Sequence, residues 1–174
     1  VTIARLNVGG GFPSHRTADD RLSLEDIFGV IDRATAASFG ADRPALVCEP
    51  GRGMCGEAFS VAARVKAIRD GNHVFLNDGV YGSLAEMPII GMIDRIEVVS
   101  PEGVARRGSK VDRIVFGPTC DSVDRLPGEI ALASDMEEGD YVLVHGMGAY
   151  STVTNTRFNG FGELAIATVM RLRD

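Results

Sequence analysis

The sequence has no apolar run approaching the roughly 20 residues that span a bilayer, which speaks against a membrane protein. It also has no basic surface worth the name. Arg106, Arg107 and Lys110 gather without interleaved aromatics, and a formal net charge of -6 repels a phosphate backbone, so nucleic acid is not an expected partner. Cys48, Cys55 and Cys120 show neither CxxC nor Cys/His ligand spacing. This argues against a disulfide framework and a zinc site, and a reducing cytoplasm fits best. His15, His73 and His145 share no ligand spacing and are read as structural or solvent-facing, so no metal is expected. There is no internal repeat and no low-complexity linker. Val1 stands where an initiator Met would, with no basic n-region or cleavage site behind it, and the expectation is a piece of a longer chain.

What is present is ordinary for a globular protein: 174 residues, 45% hydrophobic and 24% charged, room for one domain plus part of another. Val1 to Val8 reads as a strand running into Gly9-Gly10-Gly11. Ser23 stands three residues before Asp26, a capping-box spacing. Ile27, Val30, Ile31 and Ala34 then recur at helical intervals until Gly40, so a helix is expected near 24–39. Pro44 to Cys48 is a second strand, ending at Glu49-Pro50-Gly51-Arg52, and completes a βαβ unit. Beyond residue 57 the pattern changes to short β-type runs, among them Arg95-Val99, Arg113-Phe116, Tyr141-Val144 and Leu164-Arg171, separated by turns such as Asp70-Gly71-Asn72. Asn77-Asp78-Gly79 reads as a hairpin turn, and the acidic run Asp135, Glu137, Glu138, Asp140 as a solvated loop. The expected division is an α/β piece over 1–57 and an antiparallel β-domain, sandwich or barrel, over 58–174. A lone βαβ unit leaves its sheet edges and faces unpaired, so residues 1–57 are not expected to be stable by themselves.

Four stretches have more chemical than structural character, all at expected strand ends or turns. The glycines Gly9-Gly10-Gly11 allow backbone N–H groups to approach an anion, although a tight turn is the commoner use of such a triplet. Glu49-Pro50-Gly51-Arg52 follows the neighbouring strand of the same unit. Parallel strands would present both turns on one edge, where an arginine can take a phosphate and a carboxylate can hold a proton on a heterocyclic nitrogen; a surface ion pair is the alternative. In Gly117-Pro118-Thr119-Cys120-Asp121-Ser122 a thiol and a carboxylate are adjacent. A buried cysteine is the commoner explanation of the thiol, but an aspartate beside it suits cations and proton transfer better than an apolar core. Last, Gly146-Met147-Gly148-Ala149-Tyr150, with Phe158-Asn159-Gly160-Phe161 beyond it, offers a phenol between glycines, for a ligand or for the packing of a β-corner.

The set GGGFP, EPGR, NDGVYGS, GPTCDSVDRL and GDYVLVHGMGAYSTVTNTRFNGF resembles, in that order and over essentially the whole chain, the C-terminal half of the ornithine decarboxylase family of pyridoxal-phosphate enzymes. The resemblance implies that residues 1–57 are the last strands of a cofactor-binding (β/α)8 barrel and that the β-domain follows, in a homodimer whose subunits share active sites. It implies that pyridoxal 5'-phosphate is bound by Gly10, Gly11, Pro50, Gly51, Arg52 and Tyr150, with Glu49 facing the pyridine nitrogen. Asp121 would bind the substrate's distal ammonium in the neighbouring subunit's site, Cys120 would return a proton to Cα, and Phe158 would wall the pocket. The implied reaction is decarboxylation of a small basic amino acid, ornithine, to putrescine.

Two departures bear on this. The family's cofactor-bearing lysine lies on an early barrel strand, and Lys66 and Lys110, the chain's two lysines, match neither its context nor its place. A second substrate-binding aspartate found in animal members is absent, where the sequence runs Leu84-Ala85-Glu86-Met87-Pro88-Ile89-Ile90. Lysine or a mixed specificity is therefore an alternative. Diaminopimelate decarboxylases typically carry Glu in place of Asp121, so the aspartate favours a diamine product. A non-catalytic regulatory homologue is the alternative of another class, and retention of Glu49, Arg52, Cys120, Asp121 and Tyr150 together argues against it.

Overall fold

The computed structural model describes residues 3–14, 23–90 and 95–169. His15 and residues 170 and 171 of the expected last strand lie outside them. Two compact units are interleaved along the sequence: Val1–Val61 with Met92–Ile96 and Leu143–Ala149, and Ala62–Gly91 with Glu97–Val142 and Tyr150–Asp174.

The first unit contains the βαβ element. Strands β1 (Arg5–Asn7) and β2 (Ala45–Val47) pair in parallel, with Arg5, Leu6 and Asn7 opposite Ala45, Leu46 and Val47. Between them runs helix α1 (Leu24–Phe39), the helix expected from the sequence. Its start is fixed by a reciprocal capping box: Ser23 Oγ accepts the Asp26 N–H at 3.1 Å, and the Asp26 carboxylate accepts the Ser23 N–H at 3.1 Å. Its end is fixed by Gly40, whose φ of 53° a side chain would resist. The helix shows a face that the unit itself does not cover, since Thr35 is its buried residue while Phe28 and Val30 are 44% and 50% exposed. Glu49-Pro50-Gly51-Arg52, expected as a turn, leads into a five-residue helix, α2 (Gly51–Cys55), with Pro50 at its N-cap, where a missing N–H is no loss.

Six strands hydrogen-bond in the order β5-β8-β3-β4-β6-β7: β3 (Ser60–Arg69), β4 (His73–Leu76), β5 (Ile96–Val99), β6 (Lys110–Phe116), β7 (Ile130–Ala133) and β8 (Tyr141–His145). The sheet is mixed rather than antiparallel as expected. The β3–β4 and β6–β7 pairs are antiparallel, but β4 and β6 run parallel, with His73, Val74 and Phe75 opposite Ile114, Val115 and Phe116. Asp70 and Gly71, at φ 52° and 77°, turn β3 into β4, as the Asp-Gly-Asn signal expects. Period-2 alternation places Val65, Val74, Leu76, Val115, Leu132 and Val142 in the core of the second unit, each at most 3% exposed. Each contributes roughly 1.5–3 kcal/mol of burial.

Three other expectations fail. Asn77-Asp78-Gly79 does not close a hairpin: the chain passes through successive turns into helix α3 (Met87–Ile90), and the parallel partner of β4 arrives later. The acidic run is not wholly solvated. Asp140 is 1% exposed and takes two hydrogen bonds from Arg106, at 2.8 and 2.9 Å, because a carboxylate at the foot of β8 can be buried only when a guanidinium chelates it. Finally, 164–169 forms no strand.

Candidate functional site

At the C-terminal edge of the β1–β2 pair, parallel register brings the glycine loop and the Glu49 turn together. The Val8 N–H donates to the Val47 carbonyl at 2.9 Å and the Glu49 N–H to the Gly9 carbonyl at 2.8 Å, so the ladder continues past both strands. Gly9 and Gly11 hold φ of 77° and 85°. Gly10 is required for a different reason: a Cβ there would lie 2.8 Å from the Glu49 carbonyl oxygen. Among the described residues, no hydrogen bond engages the Gly10 or Gly11 N–H. The exposed Glu49 carboxylate accepts from Asn7 Nδ2 at 2.6 Å, and Asn7 Oδ1 accepts the Gly9 N–H at 2.8 Å. Phe12, 4% exposed, stacks on Phe28 of α1 with ring centroids 5.2 Å apart and anchors the far end of the loop.

The Gly146–Ala149 segment lies along residues 55–59 of the same unit. Its Met147 and Gly148 N–H groups donate to the Phe59 and Gly56 carbonyls at 2.9 and 2.8 Å. A Cβ on Gly148 would overlap the Cys55 carbonyl, so here glycine serves close backbone approach. His145 Nδ1 is 2.9 Å from Ser60 Oγ, and burial, with Arg95 adding to it, holds its imidazole below the ordinary range. Tyr150 belongs to the second unit, is 54% exposed and sits at φ 64°, a left-handed conformation uncommon for a tyrosine.

In the second unit the turn after β6 is organised around a buried aspartate. Asp124, 1% exposed, accepts the Val80 N–H at 2.9 Å through Oδ1, and the Thr119 N–H and hydroxyl at 3.0 and 2.7 Å through Oδ2. Its carboxylate occupies the space that a Cβ of Gly79 or of Gly117 would need, which explains both glycines. The chain is thereby folded tightly enough to hold Cys120 at φ 59° with its side chain exposed. Asp121 follows. Its Oδ1 accepts the Val123 N–H and its Oδ2 the Tyr81 hydroxyl, both at 2.9 Å, and these two donors, in that order of effect, keep its carboxyl below the ordinary range. The same bond, with lesser contributions from burial and the neighbouring carboxylates, raises the Tyr81 phenol.

Tyr81 also stacks on Phe158, with centroids 4.5 Å apart. The segment bearing Phe158 is strapped to this region by Thr156, whose N–H and hydroxyl both donate to the Tyr81 carbonyl, and by Asn159 Nδ2, which donates to the Thr119 carbonyl at 3.0 Å. Tyr81 and Phe158, with Thr119 and Asp124, thus line a small cleft, and Cys120 and Asp121 follow directly on its Thr119 edge.

Residues 19–148 match the family model described as "Pyridoxal-dependent decarboxylase, C-terminal sheet domain". The chain belongs to that family. The hamster (Cricetulus griseus) ornithine decarboxylase is 31% identical over 95% of this chain and 38% of its own length. Antizyme inhibitor 2 of Xenopus laevis, a protein named for inhibition rather than for catalysis, is 29% identical over 95% of this chain and 39% of its own. Among solved structures, the arginine decarboxylase of Paramecium bursaria Chlorella virus bound to agmatine superposes with a TM-score of 0.72 at 30% identity, covering 91% of this chain and 42% of that one. The chain therefore spans about two fifths of the length of the relatives it matches.

The family's cofactor is pyridoxal phosphate, and the first unit suits it chemically. Two backbone N–H groups on a glycine loop, beside a turn that carries Arg52, are donors for a phosphate, and a fixed carboxylate is the partner a protonated ring nitrogen needs. Lys66 and Lys110 are both exposed on strands of the second unit, whereas the glycine loop belongs to the first. Sequence reasoning misses Asn7, Tyr81 and Asp124. Asn7 reads as part of a strand, and Tyr81 and Asp124 fall in the NDGVYGS and GPTCDSVDRL stretches without a role of their own. An asparagine at a strand exit just before a glycine triplet is the one signal available, since asparagine has no reason to occupy a strand.

Proposed function

We propose that the protein carrying this chain decarboxylates L-ornithine to putrescine with pyridoxal phosphate, as a cytoplasmic homodimer with shared active sites. Residues 1–57 would close its cofactor-binding barrel, and residues 58–174 would form the C-terminal domain. The observation that carries the reading is the Asp121 carboxylate, held ionised by the Val123 N–H and the Tyr81 hydroxyl beside an exposed Cys120. An anion with two donors already satisfied keeps lone pairs for one further cation, and a single ammonium at the far end of the substrate fits it better than a zwitterion would.

In this reading Gly10, Gly11, Gly51, Arg52 and Tyr150 hold the cofactor phosphate, and Pro50 contacts the cofactor beside them. Glu49 keeps the ring nitrogen protonated. When bound, the cofactor supplies an electron sink for the bond pair released as carbon dioxide leaves. Asp121 then fixes the distal ammonium, and the Phe158 ring, braced by Tyr81, walls off water along the methylenes. The Cys120 thiol delivers its proton to Cα in place of the departed carboxylate. A reducing compartment keeps that sulfur a thiol. The cofactor-bearing lysine would be supplied by another part of the protein.

Two relatives of similar identity, one named as a decarboxylase and one as an inhibitor, favour keeping a regulatory protein as the second reading. The deciding experiment is carbon dioxide release from ornithine, lysine, arginine and diaminopimelate by the full-length protein with pyridoxal phosphate, beside Cys120→Ala. Ornithine turnover that Cys120→Ala abolishes, or diverts from clean amine product, supports the proposal. Preferential turnover of lysine or arginine replaces the substrate and leaves the chemistry intact. Cofactor binding with no turnover of any of the four favours the regulatory reading.

A further inference from the structure

We propose that Asn7 is a positioning residue that sets the separation and orientation of the two cofactor-holding groups of the first unit, the glycine loop and the Glu49 carboxylate. The inference rests on the assignment of those groups made above and adds to it a residue that touches neither phosphate nor ring. Asn7 ends β1 opposite Val47 of β2, so its side chain leaves the sheet at the edge where both turns begin. Its amide is used at both ends: Oδ1 takes the Gly9 N–H at 2.8 Å and Nδ2 donates to Glu49 Oε1 at 2.6 Å.

The first of these bonds alone would be an ordinary asparagine turn, found wherever a chain needs to bend. The second is not part of a turn. It reaches 42 residues along the sequence to a carboxylate, at the short distance typical of a charge-assisted bond. An exposed glutamate otherwise moves among rotamers. With Oε1 occupied, Glu49 presents Oε2 in one direction, and the same planar amide ties that direction to the start of the phosphate loop. A rigid, flat cofactor held at both ends requires this kind of fixed spacing. Asparagine meets the need because one side chain must donate and accept at once; a carboxylate in its place would offer Glu49 no hydrogen unless it took up a proton.

The test uses the full-length protein with Asn7→Leu, Asn7→Asp and Glu49→Gln. It measures the dissociation constant of pyridoxal phosphate, the pH titration of the bound cofactor's absorbance, and kcat and KM for the amino acid. Loss of both bonds in Asn7→Leu is expected to weaken cofactor binding about tenfold or more. The absorbance titration should move in the same direction as in Glu49→Gln, and kcat should fall while KM stays near the parent value. Asn7→Asp, which keeps the acceptor for Gly9, should bind cofactor nearly as the parent does but acquire a titration the parent lacks. Its spectrum should match the parent's at the acid end, where the introduced carboxyl can donate to Glu49, and depart from it as that proton is lost.

If Asn7→Leu leaves affinity and absorbance at parent values while Glu49→Gln changes them, the inference falls and the assignment of Glu49 stands. If Glu49→Gln also changes neither, the assignment itself is wrong. Should Asn7→Leu fail to fold, an Asn7→Asp titration that superimposes on the parent's overturns the proposal.

Discussion

In the role proposed for Asp121 its carboxylate meets a cation, and it has to stay charged before that cation arrives. Asp121 does so through the Val123 N–H and the Tyr81 hydroxyl, and the sign of the effect follows from those donors. Because the folded protein holds this carboxyl below its ordinary value, the stability it contributes is present above that value and lost as pH falls through the lowered one. Removing the hydroxyl in Tyr81→Phe should raise the Asp121 pKa and raise KM for a diamine precursor about three- to tenfold, with kcat little changed, by steady-state kinetics. A Tyr81→Phe variant with parent KM would separate Tyr81 from substrate binding. Cys120 offers a complementary measurement. At φ 59° a glycine is more comfortable than any side chain, so Cys120→Gly should unfold at least as late as the parent, with roughly 1 kcal/mol of strain relieved, while losing the proton delivery proposed for the thiol. Calorimetry and product analysis on one sample check both halves. At this scale the sequence is legible where chemistry is unusual for a fold, as with a thiol beside a carboxylate. It is not legible where an ordinary residue acts at a distance: nothing local marks Tyr81 as the partner of Asp121, 40 residues away.

The turn after β6 is built on one buried charge, and the elements around it depend on that charge. Asp124 accepts three hydrogen bonds from residues 80 and 119, and Asn in its place would point an NH2 group at one or more of those donors. Asp124→Asn should therefore lower unfolding stability by about 2–4 kcal/mol in urea titration and loosen the loop that carries Cys120. Ser23→Ala, which removes one half of the capping box of α1, should cost about 1 kcal/mol by the same measurement, a local effect without consequence for the Asp124 turn. Helix α1 is readable because its cap, period and terminal glycine agree. The parallel pairing of β4 with β6 is not. Alternation along His73–Leu76 and Lys110–Phe116 buries the same side chains whichever way the neighbouring strand runs, and among the described residues the intervening chain carries no long helix to announce a crossover.

Over the whole chain, the two units differ in how far they satisfy themselves. The second has a closed apolar core; the first leaves Leu46 and Val47 of β2 and Phe28 and Val30 of α1 at least 40% exposed. Such a surface on a βαβ element is the kind that another layer covers, and that much is legible in the sequence from the open edges and faces of a two-stranded unit. The first unit also holds His145. Its imidazole lies below the ordinary value of 6.5, mainly through burial, so the unfolded chain binds the proton more readily than the folded one. Stability is complete above 6.5 and falls as pH drops through the lowered value. His145→Gln should flatten that slope in a series of thermal unfolding curves, and an unchanged slope would assign it to other groups.

The mixed sheet also orders events in time. The β3–β4 hairpin closes over a short turn and can form early. The parallel ladder of β4 with β6 must wait until everything from Asn77 to Ser109 has been gathered in, because only then does β6 reach its partner. Closure of so long a loop makes this pairing later than the β3–β4 hairpin. Asp121 and Cys120 lie just beyond β6, so the turn proposed as catalytic takes shape only after that strand is seated, and chains caught before that step would have a hairpin but no such turn.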